Sequence, residues 1–583
     1  MTDLDPLLQS AASAPLPQRL ELLADAVRRF PRDAAALHAL AQALLDAGRF
    51  EDAAQAGHRA VQIRPDAAPS YALLATILTA QQKFDRAASL WETALRLDAR
   101  NPDFWAGFAD TLGRAGKLDA AEKALSRELS IRPNHGRALV DMGRTFELRG
   151  RLADAEHWFT QAVQRAPDYA DAWHRLGTTF GKQGQLDEAV KALARGTQLA
   201  PGTPGIWHDL AVAHERLGAM AACEEAYRKA LALRPQNVAE WTALGRCLRM
   251  QGRLDEARQT LDRALEIDPK NAPAKGERAI ITLLGGDFAR GWEEYECRFD
   301  APDFPGGRRS FKLPRWNGQP LHGKTIVVWA EQGLGDTLQF LRFVPMVAAM
   351  GGKVVLETLA GTERLARTVA GVDRIILKGQ AWPPADAQIA LMSLPSVFKT
   401  VEQTIPRNIP YLRLEDPVRQ TWANRIGPPT GKRRIGLTWA GSIHHANDKL
   451  RSIALETLRP WFALPGIEWF SLQKGVAENQ VAATGLPLRT DISGAVDFMD
   501  TAALIEHMDL IISVDTSVVH LAGALGKPVW VLLASVPDWR WMMEREDTPW
   551  YPGARLFRQG VGAGWGAVVD RIRTELFATI KIP

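Results

Sequence analysis

At 583 residues, 46% hydrophobic and 24% charged, the chain has the composition of a soluble protein of several packed units, which excludes a disordered or fibrous one. Its net charge of +4 is small for this length, and the charges are interspersed without a Lys/Arg run, so nucleic acid is not an expected partner. No run of about 18 apolar residues predicts a membrane span. The acidic, Ala/Pro-rich start (residues 1–18) lacks the pattern of a signal peptide, and Cys223, Cys247 and Cys297 form no C-x-x-C pair. The cysteines are read as reduced core thiols, and a cytoplasmic protein is expected.

The first half repeats. Pro31, Pro65, Pro133, Pro167, Pro201, Pro235 and Pro269 share one 34-residue register, with Ala99 at the substituted position. A large residue recurs early in each unit (Leu37, Tyr71, Trp105, Leu139, Trp173, Trp207, Trp241) and a small one four positions later (Ala41, Ala75, Ala109, Gly143, Gly177, Ala211, Gly245). A second small position recurs at Ala53, Ala87, Ala121, Ala155, Ala189, Cys223 and Ala257. Small residues let two antiparallel helices approach, large ones fill the space between them, and proline stops the second helix because it lacks an amide hydrogen.

This pattern resembles tetratricopeptide (TPR) repeats. Seven full units cover 34–271, an eighth runs from 272 to about 300 and ends in Trp292, Tyr295 and Phe299, and residues 1–33 form a helical cap, giving a repeat region of 34–303. Such an array is a curved scaffold with a concave binding groove. The groove positions expected to hold a protein acceptor are His38, Asp110, Arg144, His174, Arg175, His208, Asp209 and Arg246. The layout resembles that of the protein O-GlcNAc transferases, but their asparagine ladder is missing here, so the acceptor is expected to be recognised differently.

A Pro/Gly/Trp-rich linker at 304–320 separates this region from short apolar runs alternating with helical stretches, the signature of βα units on a parallel sheet. A first lobe (321–427) opens with the strand Thr325–Ala330 and the loop Glu331–Thr337, followed by a helix from about Leu338 to Met350; further strands fit Val354–Glu357, Arg374–Leu377 and Gln388–Leu391. A second lobe (428–583, with a closing helix) opens with Arg434–Gly441 and a loop carrying His444, His445, Asn447, Asp448, Lys449 and Arg451. Strands at Glu468–Gln473, Leu510–Val514 and Val529–Leu533 follow. Thr516 and Ser517 stand at a helix start, where amides and hydroxyls can hold phosphate, and His520 lies one turn on. Ligands bind beyond the C-terminal ends of such strands, where the loops 331–337, 441–451 and 515–520 are expected to converge.

Gly-x-Gly-Asp after the first strand, Trp-Ala-Gly…Asn-Asp-Lys and Asp-Thr-x-x-x-His-Leu-Ala-Gly-Ala-Leu-Gly-Lys-Pro together resemble the heptosyltransferase-like (family 9) glycosyltransferases of the GT-B fold. The tail Pro537-Asp538-Trp539-Arg540-Trp541 with Asp547–Pro552 is similar to a signature of bacterial TPR-fused members, which include flagellin O-glycosyltransferases. The resemblance implies an α-solenoid followed by a GT-B fold of two Rossmann-like lobes. It implies an inverting transfer from a nucleotide sugar to protein Ser/Thr hydroxyls, with flagellin as the first expected acceptor; a glycan or lipid-linked acceptor and an inactive TPR scaffold are the alternatives. It further implies Asp336 as the catalytic base, with a helix cap as the rival role. Gly333, Gly335, Lys449, Arg451, Thr516, Ser517 and His520 are implied at the donor. No metal or other cofactor is expected: the pair His444/His445 lacks carboxylates at ligand spacing. Asp515 is expected to cap the helix it precedes, and the Trp-rich stretch 539–550 to pack the lobes or the TPR junction more than to stack a base.

Overall fold

A computed structural model of the chain describes residues 4–301, 312–331, 333–443 and 448–579. It divides into two compact units after Pro235, inside the repeat region.

The first unit is all helical. Leu4–Ser13 and Leu16–Arg29 precede antiparallel pairs such as Ala34–Asp46 with Phe50–Ile63 and Ala170–Gln183 with Leu186–Leu199. Second helices end two residues before the register proline, as at Ile63, Ile131 and Leu233. Ala53, Ala87, Ala155 and Ala189 are fully buried. Close contacts fall on glycines at the small position: a Cβ on Gly143 would stand 2.5 Å from the Phe159 ring, and one on Gly177 2.5 Å from Leu193 Cγ. The large residues do more than fill space. Trp105, Trp173 and Trp207 are half-buried, and each donates its indole N–H to the carbonyl six residues earlier (Ala99, Pro167, Pro201; 2.8–2.9 Å), tying one repeat's end to the next repeat's start.

The second unit contains the pairs Val238–Met250 with Leu254–Ile267 and Ala272–Leu284 with Phe288–Tyr295, then two parallel sheets. The first lobe has strands β1 (Thr325–Trp329), β2 (Lys353–Thr358), β3 (Arg374–Leu377) and β4 (Ala387–Ala390) in the order β3-β2-β1-β4. The second has β5 (Arg433–Thr438), β6 (Ile467–Ser471), β7 (Leu488–Arg489), β8 (Leu510–Val514), β9 (Val529–Leu533) and β10 (Ala554–Arg558) in the order β10-β9-β8-β5-β6-β7. Such strands read as near-continuous apolar runs because helices cover both faces. The closing helix Gly566–Thr579 packs Val568, Val569, Ile572 and Leu576 into the second-lobe core.

Within this unit the last repeat shares one core with the lobes. Leu283, Phe288 and Trp292 join residues of the first-lobe helices and the segment between β9 and β10. Trp292 meets Trp539 edge to face with ring centres 5.1 Å apart, and Trp550 packs on Phe288 and Phe340 at 5.9 and 6.0 Å. The Trp-rich tail is thus packing material that joins repeat and lobes, as the sequence suggests.

Candidate active site

The helix after β1 begins at Leu334 and not at Leu338. The glycine-rich loop is its first turn: Asp336, at the third position, accepts the Gly333 amide on Oδ2 (3.0 Å), which closes the turn early. The helix ends at Phe340, a 3-10 turn covers Leu341–Phe343, and a second helix runs from Val344 to Ala349. Asp336 therefore does cap its helix, through one oxygen. Its other oxygen, Oδ1, accepts a hydrogen bond from Arg540 Nη2.

The second lobe brings its own helix, Ser517–Ala524, to the same place. Here Thr516 is the cap position, and its side chain makes no capping bond; its hydroxyl lies 3.2 Å from that of Ser513. The capping role expected of Asp515 falls to neither side chain, because the chain turns one residue later. Asp515 instead offers its backbone carbonyl to Arg451 Nη1 (2.9 Å). Burial first, and then the nearby Asp538 carboxylate, push the Asp515 carboxyl up to about 6.

The two loops meet. A Cβ on Gly335 would lie 2.8 Å from His520 Cδ2 and 3.7 Å from Ser517 Cα, so Gly335 is where the first-lobe loop touches the second-lobe helix. His520 is buried, hydrogen-bonded through Nδ1 to Tyr551 Oη (3.0 Å) and stacked on Trp541 at 5.6 Å. Burial first, then the Arg540 and Arg342 charges, hold its imidazole well below the usual range, so it is neutral at neutral pH. Arg342 underlies this wall, donating to the Trp550 carbonyl (2.8 Å) and to Tyr411 Oη (3.2 Å) beneath the Tyr551 ring.

The third loop is closed by Arg451 and Asp448. Gly441 leaves room for them: a Cβ there would stand 2.5 Å from Arg451 Nη2 and 2.6 Å from Asp448 Oδ1. Arg451 thus braces the loop against the strand end carrying Asp515, while Lys449, on the same short helix Asp448–Arg451, is exposed. His444, His445 and Asn447 lie outside the described residues. The structure therefore brings Gly333, Gly335, Asp336, Ser517 and His520 together, with Arg451 bound behind Thr516. Among the described residues no group of three or more His, Cys, Asp or Glu is arranged to hold a metal.

The repeat residues divide. His174 and Asp209 hydrogen-bond through Nε2 and Oδ2 (2.6 Å) and, with Arg175, line a cavity of about 380 Å³ whose other charged walls are Glu147, Lys182 and Arg216. His38, Asp110 and Arg144 lie on other repeats: His38 is half-buried, its imidazole held down by burial, Asp110 stands 3.9 Å from Arg114, and Arg144 pairs with Asp141 (3.2 Å). His208 turns edge-on to the buried Tyr227, at 5.9 Å, and Arg246 belongs to the second unit.

Sequence reasoning missed Arg540, Gln339 and Asp538 as members of the site. The signal was present in the Asp538–Trp541 run, but an aromatic-rich stretch reads as packing, and nothing local says that its arginine reaches a carboxylate 204 positions earlier.

Residues 469–550 match the family described as Glycosyltransferase family 9 (heptosyltransferase). Residues 20–68 match the tetratricopeptide repeat, and residues 99–284 the Cilia and flagella-associated protein 70 C-terminal domain. The chain is 29% identical over 330 residues to Protein FlbA of Caulobacter vibrioides, covering 51% of this chain and 54% of that one, so it spans about half the length of the curated relative it matches. Solved structures similar to parts of it include MamA protein (24% identity, 29% of this chain and 93% of that one, TM-score 0.28). Another is YrrB, titled a TPR protein with an unusual peptide-binding site (21% identity, 32% and 96%, TM-score 0.27). No helix among the described residues is long and apolar enough to cross a membrane.

Proposed function

From a chain that joins tetratricopeptide repeats to a Glycosyltransferase family 9 domain, we propose an inverting glycosyltransferase that moves a sugar from a nucleotide donor to a Ser or Thr hydroxyl of a protein held by the repeats. The observation that carries this reading is the apposition of the Gly333–Asp336 turn to the Thr516–His520 helix start. A carboxylate on one lobe faces a phosphate-binding helix terminus on the other, with Gly335 keeping the interval free of side chain.

In this reading the donor phosphate lies on the amides and hydroxyls of Thr516 and Ser517, with Lys449 supplying a cation from the neighbouring loop. Asp336 takes the proton of the acceptor hydroxyl as its oxygen bonds to the anomeric carbon. The bond from that carbon to the phosphate oxygen breaks on the opposite face, and the electron pair leaves with the nucleotide. Neutral His520 offers a hydrogen bond and no charge, its Nδ1 engaged by the Tyr551 hydroxyl. The cavity at His174, Arg175 and Asp209 supports acceptor recognition by the repeats, and flagellin is the first acceptor to test.

Asp336→Asn is expected to lower kcat by about 10²–10⁴-fold while leaving nucleotide binding, read by thermal shift, unchanged. Full transfer by this variant overturns the assignment. Intact masses of flagellar and secreted proteins, compared between cells with and without the gene, test the acceptor class: a loss of sugar-sized mass supports a protein acceptor, and unchanged masses favour a glycan or lipid-linked one.

A further inference from the structure

Arg540 is a guanidinium whose donors reach carboxylates of both lobes at the site. Its Nη2 donates to Asp336 Oδ1 and its Nε to Gln339 Oε1 (2.5 Å), both on the helix Leu334–Phe340 of the first lobe. Its Nη1 donates to Asp538 Oδ1 (2.7 Å), which also accepts the Arg540 amide (3.0 Å) on the second-lobe segment between β9 and β10. The side chain is 8% exposed and its charged centre lies 4.3 Å over the Trp539 ring, so its position is set by packing as well as by charge.

We infer that Arg540 is a positioning residue: a guanidinium delivered by the second lobe that aims the first lobe's Asp336 at the acceptor hydroxyl. The inference rests on the proposed transferase reading of the same site. With Oδ2 on the Gly333 amide and Oδ1 on Arg540, the carboxylate is fixed at both ends, and each oxygen retains a second lone pair for a substrate proton. A fixed, bidentate-capable cation does this where a flexible ammonium does not.

The other ionisable groups facing the pair leave that task to Arg540. Burial pushes the Tyr295 phenol, from the last repeat, up to about 12, so it is neutral at neutral pH. Glu331, at the end of β1, is paired with Arg298 (2.8 Å), and His520 is held neutral. Asp538 shares Arg540 and stands on its far side from Asp336. Of the two carboxylates on Arg540, Asp538 sits on the same second-lobe segment, so only Asp336 takes its cation from the other lobe.

Two measurements on the full chain test this. The first is kcat and the KM for the nucleotide sugar in wild type, Arg540→Gln and Arg540→Lys. The second needs no turnover: the position of the Asp336 carboxylate infrared band at neutral pH, taken as the difference from Asp336→Asn in the same background. Arg540→Gln is expected to shift that band and to lower kcat at least about tenfold with the KM for the nucleotide sugar unchanged, because Oδ1 loses its charge-assisted hydrogen bond. Arg540→Lys keeps the charge and loses the span, so kcat falls about tenfold with the KM for the nucleotide sugar unchanged.

An unmoved infrared band in Arg540→Gln overturns the inference. So does a loss confined to the KM for the nucleotide sugar, which makes Arg540 a donor contact instead. If Arg540→Gln does not fold, Arg540→Lys decides: wild-type kcat in that variant overturns the inference. A wild-type chain without transfer, or an active Asp336→Asn, is a failure of the transferase reading, and the infrared band still reports on Arg540.

Discussion

Gly335 and His520 touch backbone to ring, and no side chain fits between them: a Cβ on Gly335 would stand 2.8 Å from His520 Cδ2. His520 cannot retreat easily, since Trp541 stacks on it and Tyr551 holds its Nδ1.

Gly335→Ala therefore has to open the contact between the loop and the helix. Overpacking of this kind costs about 1–3 kcal/mol. The expected result is a lower melting temperature together with a loss of transfer larger than the loss of stability explains, because the interval between the proposed base and the proposed phosphate site widens. Calorimetry and a transfer assay on Gly335→Ala check it; a variant with wild-type turnover shows that the close approach is not needed for the chemistry.

The same histidine predicts a pH dependence of stability. In the folded protein its imidazole is held well below the ordinary value, whereas the unfolded chain protonates it near 6.5. The unfolded state thus binds more protons below about 6.5, and its contribution to stability is lost as pH falls from there. Asp515 acts with the opposite sign. Its carboxyl, pushed up to about 6, binds more protons folded than unfolded, so its contribution is present at low pH and lost as pH rises through about 6. Relative to wild type, His520→Gln is expected to lose less stability on acidification below pH 6.5. The advantage of Asp515→Asn is expected to be greatest above pH 6 and to shrink toward pH 4. Melting temperatures of the three proteins across pH 4–8 read both differences.

The repeats were legible because their physics is local and recurs every 34 residues: where a helix must stop, a proline follows, and where two helices touch, Ala or Gly stands. Strands such as Leu510–Val514 and Val529–Leu533 were legible because parallel sheets need continuous apolar runs, whereas β7 and β10, at the two edges of the second sheet, had no expected counterpart. The helix after β1 was misplaced because Asp336 reads as chemistry, whereas its carboxylate also closes the first turn. The partners of the site were not legible at all, since Arg540 and Asp336 are joined only by tertiary packing of an aromatic segment that has no period.

One repeat position breaks its own rule. The turn between the two helices places a residue at positive φ every 34 positions, and it is glycine at Gly48, Gly116, Gly150, Gly184, Gly218, Gly252 and Gly286 but Gln82 at φ 61°. A left-handed backbone costs a residue with a Cβ about 1–2 kcal/mol, against about 0.5–1 kcal/mol of extra chain entropy that glycine loses on folding. Gln82 is exposed, so its side chain brings little packing in return. Gln82→Gly is expected to stabilise the repeat by about 0.5–1 kcal/mol, measured as a shift of the urea midpoint at unchanged slope.

Arg298 and Glu331 form the buried link from the last repeat to the loop after β1. Arg298 Nε and Nη2 donate to both oxygens of Glu331 (2.8–3.0 Å), Nη2 also reaches Ser393 Oγ (2.7 Å), and the two side chains are 6% and 0% exposed. Burial alone would raise the Glu331 carboxyl, and the guanidinium opposes that. Removing one partner leaves the other charge stranded, which costs about 3–5 kcal/mol, while replacing both by apolar groups of similar volume is often close to neutral. Arg298→Met is expected to lose most of that amount and to lower transfer, because Glu331 lies two residues before Gly333. The double variant Arg298→Met/Glu331→Met is expected to recover the stability. Whether it also recovers transfer separates two roles: recovery means the pair only fills space, and persistent loss means that the charge pair itself holds the loop in register with the last repeat.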